Sequence, residues 1–318
     1  MAAGLASRTL VRDYVSHDKK HCRPFFGNTP LAKIDTPMVR RFRDTLLASG
    51  IKPATALHIL SFLSVVLKQA HEDGLIRQLP YIPRKGQKPA PRPAFTRASY
   101  RALLQALRGI EKGKPVIAYR GHEVDWELRA IVTFMVNSFF RPGDLFSIKH
   151  KHVTVVPRDE DGPAFLRIDA PSSKDHHAPI ITMPVAVPIY QRVRSHRMAS
   201  GACCPDDYVF MPGHQNRAYA QEIVRRQFRL VLKHADLLQS EKGVDHTLYS
   251  LRHSAITFRL LHARDIDLLT LARAARTSVE MIDRYYASSL TAEMNRDKLH
   301  SFRRPTRFLT ESGPSKAA

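Results

Sequence analysis

Two arginines, a lysine and a tyrosine suffice to break a phosphodiester bond without a metal, and this chain carries such residues in suggestive places. Tyr249-Ser250-Leu251-Arg252-His253-Ser254 sets an arginine beside a histidine, and Arg284-Tyr285-Tyr286 follows. Far upstream, Arg141 stands in Arg141-Pro142-Gly143-Asp144-Leu145. A guanidinium grips phosphate oxygens bidentately. Arg252, beside a stripe of Leu248, Leu251, Ala255 and Phe258, is either a partly desolvated phosphate ligand with a strengthened field or a salt-bridged structural arginine. Arg141 ends an apolar helix; Asp144 could hold its donors, or the arginine is a surface group. Lys174, in the turn Ser172-Ser173-Lys174-Asp175, reaches a phosphate or is solvated. Tyr285 and Tyr286 share a short amphipathic helix with Val279 and Ile282, which buries one tyrosine and presents the other or packs both.

The elements that must position these groups are mostly helices. Asp35-Thr36-Pro37 starts one, with a capping residue before a proline, and the helix runs over Val39–Leu47. A second spans Pro53–Glu72, with Leu57, Leu60, Leu63, Val66 and Leu67 at helical spacing and Gly74 as its stop. Arg40, Arg41, Lys52 and Lys68 give these helices basic faces. Residues 80–95, rich in proline and including Arg84, Lys85 and Lys88, read as an extended basic linker, either along a DNA backbone or a solvated spacer. Beyond it, helices are expected at Thr96–Leu107 and Val124–Phe139, the latter stopping at Arg141-Pro142-Gly143. Two short strands, Ala164–Ile168 and Ile180–Met183, flank Lys174. Further helices are expected at Tyr219–Leu238, Leu248–His262, Ile266–Ala275 and Ser278–Ala287. The expected organisation is a helical domain over residues 1–79, the linker over 80–95, a second domain over 96–304 and a disordered tail over 305–318.

Composition bounds the partner. A net charge of +21 over 318 residues favours a polyanion, most simply double-stranded DNA. Three cysteines, Cys22, Cys203 and Cys204, give no disulfide framework and suit a reducing compartment. No run approaches the length of a membrane span and no signal peptide is visible, so a cytoplasmic protein is expected, nucleoid-associated in a prokaryote. The histidines lack metal-ligand spacing, so no metal site is expected.

Taken in order, these segments resemble the tyrosine recombinase, or phage integrase, family. Arg141-Pro142-Gly143-Asp144-Leu145 is similar to its first arginine box and Tyr249-Ser250-Leu251-Arg252-His253-Ser254-Ala255-Ile256-Thr257 to its second. Thr277-Ser278-Val279-Glu280-Met281-Ile282-Asp283-Arg284-Tyr285-Tyr286 resembles its nucleophile helix, and Lys174 falls where the family has a hairpin lysine. The resemblance covers roughly residues 10–300. It implies a mainly α fold with a small β-sheet or hairpin, in which an N-terminal helical bundle and an α+β catalytic domain form a two-domain clamp. It implies site-specific cutting and rejoining of DNA through a 3′-phosphotyrosine, with no cofactor and with four protomers assembled on two DNA sites. Tyr286 would be the nucleophile, with Tyr285 as the alternative, and Lys174 the proton donor to the leaving oxygen. The segment after Tyr286 would dock on a neighbouring protomer, and no separate DNA-binding domain is expected ahead of the first helices. Two positions depart from the pattern. Tyr249 stands where the family has histidine, and His246 just upstream could substitute; Arg276 stands where the family has histidine or tryptophan. Rival readings are a non-catalytic DNA-binding protein on the same scaffold and a DNA-relaxing topoisomerase with the same tyrosine chemistry.

Overall fold

The computed structural model describes residues 8–83, 92–160, 162–171, 178–263 and 266–286. The chain divides into two compact units, residues 1–90 and 91–318. Arg84, Lys85 and Lys88 of the linker, Lys174 of the hairpin turn and the whole tail 305–318 lie outside the described residues.

The first unit holds α1 (Arg8–His17), α2 (Arg23–Phe26), α3 (Thr36–Ala48) and α4 (Pro53–Glu72). α3 begins where cap chemistry predicts: the Asp35 carboxylate accepts from the Met38 amide at 2.8 Å, with a proline in the first turn. α4 ends in a Schellman turn, with Gly74 at φ +74 and the Leu75 amide donating to the Ala70 carbonyl at 2.8 Å. Val39, Phe42 and Leu46 of α3 close with Ile59, Leu60, Leu63 and Leu67 of α4 into one core. Each such side chain contributes roughly 1.5–3 kcal/mol by burial. The length and composition of α4 would also permit a membrane span, but its apolar stripe is the spine of this core. Arg40, Arg41, Lys52 and Lys68 are exposed and form no ion pair among the described residues.

The second unit opens with α5 (Arg97–Glu111), capped by the Thr96 hydroxyl, which accepts from the Ser99 amide at 3.1 Å. A two-stranded ribbon, β1 (Ala118–Tyr119) and β2 (His122–Glu123), leads into α6 (Trp126–Val136). α6 stops short of the expected Phe139. Asn137 Nδ2 donates to the Thr133 carbonyl at 2.8 Å and Ser138 Oγ to the Phe134 carbonyl at 2.6 Å, closing the last turn, and Phe139 then takes a left-handed φ of 59°. Arg141 therefore does not end the apolar helix. It is the N-cap residue of a separate short helix, α7 (Pro142–Leu145).

The expected strands around the hairpin are present as β4 (Phe165–Ile168) and β5 (Ile180–Ile181), paired antiparallel with Ile168 opposite Ile180. A strand that was not expected, β3 (Val153–Val156), pairs with the other edge of β4, making a three-stranded sheet. Also unexpected is α8 (Ala186–Ala199), whose buried stripe is thin: Ala186, Val187, Tyr190 and Val193. α9 (Arg217–His234) ends before the predicted Leu238, because Asp236 turns to a φ of 54° and the Leu237 amide folds back to the Leu232 carbonyl. α10 (Leu248–His262) has the predicted bounds, and α11 (Leu268–Ala274) and α12 (Val279–Tyr286) complete the described chain. α5, α6, α8 and α9 share the large core with β4. A smaller core gathers Ala255 and Ile256 of α10, Leu271 and Ala272 of α11, and Ile282 and Tyr286 of α12 around Phe139.

Candidate active site

Arg252 lies at the centre of the site. Nearly every residue of the first part of α10, including Ser250 through Thr257, is buried, and Arg252 itself is only 3% exposed. Its guanidinium donates to two backbone carbonyls, those of Phe139 and Ala275. No carboxylate lies within ion-pair distance of it among the described residues. Burial, and then the charge of Arg141, press its pKa down. A desolvated cation with no carboxylate at hand is costly, and the two carbonyls satisfy only part of its five donors.

Both carbonyls belong to strained turns. Phe139 is left-handed, and Ala275 is followed by Arg276 at a φ of 47°. The end of α11 is a Schellman motif: the Arg276 amide donates to the Arg273 carbonyl at 3.0 Å and the Thr277 amide to the Ala272 carbonyl at 2.9 Å. Arg276 thus occupies the position that Gly74 fills at the end of α4. A left-handed residue bearing a Cβ costs roughly 1–2 kcal/mol, so its side chain has to repay that elsewhere. Arg276 is 5% exposed, and its Nε donates to the Ala178 carbonyl just before β5 at 2.9 Å. Burial lowers its pKa, against the pull of Asp144. Its own carbonyl accepts from Arg141 Nη2 at 2.6 Å, while Arg141 Nη1 stands 3.5 Å from Asp144. Arg141, Arg252 and Arg276 are therefore brought near one another, with Asp144 paired to Arg141 and also acting on the other two, and Asp169 acting on Arg276.

A file of rings borders the arginines. Tyr249 and His253, one turn apart on α10, have centroids 5.4 Å apart, and His253 stacks on Tyr286 at 4.9 Å. Tyr286 is 6% exposed; burial pushes its hydroxyl up to about 12, against the opposing pull of Arg252. Arg141 and Tyr249 also act on this phenol. Tyr285 is half-buried beside the same small core to which Tyr286 belongs. His246 lies flat on Phe95 at 4.1 Å, with Nδ1 3.0 Å from the Leu237 carbonyl. Its described contacts include none of the arginines. Sequence reasoning missed Arg92, whose guanidinium lies 4.6 Å from the Tyr249 ring centroid. The only signal for it was the basic composition of the linker. The carbonyls of Phe139 and Ala275 gave no signal.

Burial, followed by Arg92 and Arg252, holds His253 at about 4. Its folded pKa is depressed, so between about 4 and 6.5 the unfolded chain binds more protons than the folded one. Stability is then fully present above pH 6.5 and falls as the pH drops toward 4, by at most about 3 kcal/mol from this group. Urea unfolding at pH 7 and pH 4.5 should show this loss, and His253→Gln should show less of it; equal pH slopes in the two proteins would contradict the assignment.

No protein-family model matches the sequence, and no curated protein matches it. Solved structures do. A lambda integrase dimer bound to a COC′ core site superposes with a TM-score of 0.64 at 19% identity, covering 90% of this chain and 90% of that one. The Tn1549 transposon integrase in complex with transposon right end DNA gives 0.67 at 14% identity, covering 93% and 94%. A lambda integrase tetramer bound to a Holliday junction gives 0.61 at 19%, covering 87% and 70%. At these identities the likeness is one of fold. The chain has the tyrosine recombinase fold, mainly helical with small sheets, as its motifs led us to expect.

Proposed function

We propose that this protein is a site-specific DNA recombinase of the tyrosine class, cutting and rejoining DNA through a 3′-phosphotyrosine. One observation carries the reading: Arg252 is buried with no carboxylate at ion-pair distance among the described residues, and Arg141 and the Tyr286 phenol lie in its field. Unbalanced buried cations beside an oxygen nucleophile suit a substrate that arrives anionic and gathers further charge in the transition state. Tyr286 Oη attacks the phosphorus of a backbone phosphate, its proton passes to water, and the bond to the 5′ oxygen breaks. That oxygen takes a proton from the Lys174 ammonium, a step worth roughly 10²–10⁴ in rate. The 5′-hydroxyl of a partner strand then attacks the phosphotyrosine, returning its proton to Lys174, and the expelled Tyr286 oxygen regains a proton from water. Arg141, Arg252, Arg276 and the Tyr249 hydroxyl donate to the non-bridging oxygens, and Asp144 orients Arg141. The guanidinium groups carry the charge that a metal supplies in other phosphoryl transfers.

The partner is double-stranded DNA, held through phosphates by Arg40, Arg41, Lys52, Lys68, Arg84, Lys85 and Lys88, in the cytoplasm and at the nucleoid of a prokaryote. Four copies act on two duplexes, a stoichiometry supported by the lambda integrase tetramer of similar fold. The test is a nicked duplex carrying a site selected from random sequence, on which cleavage traps the enzyme. Wild type should form a denaturant-resistant adduct. Tight binding with no adduct would favour a non-catalytic DNA-binding protein, the reading motivated by Tyr249 and Arg276 standing in place of the family's residues. Relaxation of supercoiled DNA without exchange between two sites would favour a topoisomerase.

A further inference from the structure

Arg92 has a built position and no assigned task. Three residues beyond it, Phe95 is 1% exposed, its ring lies flat on His246 at 4.1 Å and its amide donates to Ser254 Oγ at 2.7 Å. Ser254 Oγ in turn donates to the Ser250 carbonyl at 2.8 Å, so the segment is tied to the stretch of α10 that carries Arg252. From this anchor the chain sets the Arg92 guanidinium 4.6 Å from the Tyr249 ring centroid. Tyr249 meets His253 at 5.4 Å and His253 meets Tyr286 at 4.9 Å. Arg92, Tyr249, His253 and Tyr286 thus form one file leading from solvent to the phenol. Arg92 is exposed and has no hydrogen bond or carboxylate partner among the described residues. An exposed cation–π contact is weak on its own, and an arginine side chain gives up much rotamer freedom to keep it.

Tyr249 offers the site one hydroxyl and no charge, whereas the guanidinium above it offers five donors and a fixed positive charge. We infer that Arg92 contacts the backbone phosphate attacked by Tyr286, with the Tyr249 ring as the platform that aims it. The inference rests on the recombinase reading above. It makes the linker end a part of the active site, and it pairs Tyr249 with an arginine from elsewhere in the chain.

The test uses the full chain with Arg92→Ala and Arg92→Lys, each also made in a Tyr249→Ala background. Single-turnover cleavage of the nicked duplex and the salt dependence of binding are measured. Arg92→Ala should cut the cleavage rate about 10²-fold, the effect typical of losing one charge-stabilising donor. The slope of log affinity against log salt should become shallower by about 0.9, one phosphate contact. Arg92→Lys should keep the slope while losing part of the rate. In the Tyr249→Ala background, removing Arg92 should add little further loss. A wild-type rate in Arg92→Ala overturns the inference; so does a changed slope with an unchanged rate, which places Arg92 on another phosphate. Equal losses in both backgrounds overturn the role of the Tyr249 platform. A wild type that binds DNA and forms no adduct overturns the recombinase reading, while the slope still reports whether Arg92 meets a phosphate.

Discussion

Tyr286→Phe is expected to bind DNA as wild type does and to form no covalent adduct. The substitution keeps the ring stacked on His253 in the small core and removes only the oxygen, so folding stability should change by no more than about 1 kcal/mol. The predicted loss is complete rather than graded, because in the proposed mechanism the attacking oxygen is that of Tyr286. Tyr285, the sequence neighbour, is only half-buried beside the same small core, and it is Tyr286 that is among the groups acting on Arg252. Adduct formation by Tyr286→Phe, with loss in Tyr285→Phe, would reverse the assignment. The pH profile gives a second check. Burial holds the phenol near 12, so it is protonated throughout the neutral range, and attack requires that proton to leave. The wild-type cleavage rate should climb steadily from pH 6 to pH 9. A plateau beginning near pH 7 would place the controlling group elsewhere.

How much of this was legible in the sequence depends on whether the information is local. Asp35, Pro53 and Gly74 punctuate α3 and α4 by cap and turn chemistry that acts within a few residues, and the apolar spacing of α4 did the rest. α8 escaped because its buried stripe is thin and carries a proline in the first turn. The three arginines could be named from motif resemblance, but their setting could not. Every residue has a carbonyl, and nothing in the sequence marks those of Phe139 and Ala275 as the acceptors for Arg252. Arg276 breaks a local rule: the turn after α11 prefers glycine, and an arginine stands there in a left-handed conformation. Phe139 breaks the same rule across the guanidinium from it. Local preference fails at the residues whose conformation the site dictates, as expected where function competes with propensity. Arg92 was hidden for another reason. A proline-rich basic stretch reads as a spacer by composition, and its contact with Tyr249 depends on Phe95 meeting α10, a pairing far apart in sequence.

Arg252→Lys is expected to slow cleavage about 10³-fold, the scale of an arginine that neutralises transition-state charge. It should also destabilise the second unit by about 1–3 kcal/mol, the cost of one orphaned buried hydrogen-bonding group. The guanidinium is a plane that reaches the Phe139 and Ala275 carbonyls together while keeping further N–H groups for an incoming phosphate. A lysine has the same charge at a single nitrogen and cannot satisfy both carbonyls and a phosphate in that geometry. Because those carbonyls close the turns around Phe139 and Arg276, the loss should loosen the contact between α10 and α11 that the small core depends on. The charge itself changes character. Burial and Arg141 already press on this position, and a lysine there gives up its proton far more readily than an arginine. The residual activity of Arg252→Lys should therefore decline as pH rises through the range in which wild-type activity increases. Arg252→Ala gives the control: guanidinium ion added at non-denaturing concentration should restore part of its cleavage and none of that of Tyr286→Phe. A lysine variant within tenfold of wild type, with a rising pH profile, would mean that a point charge is enough and that the two-carbonyl clamp serves folding alone.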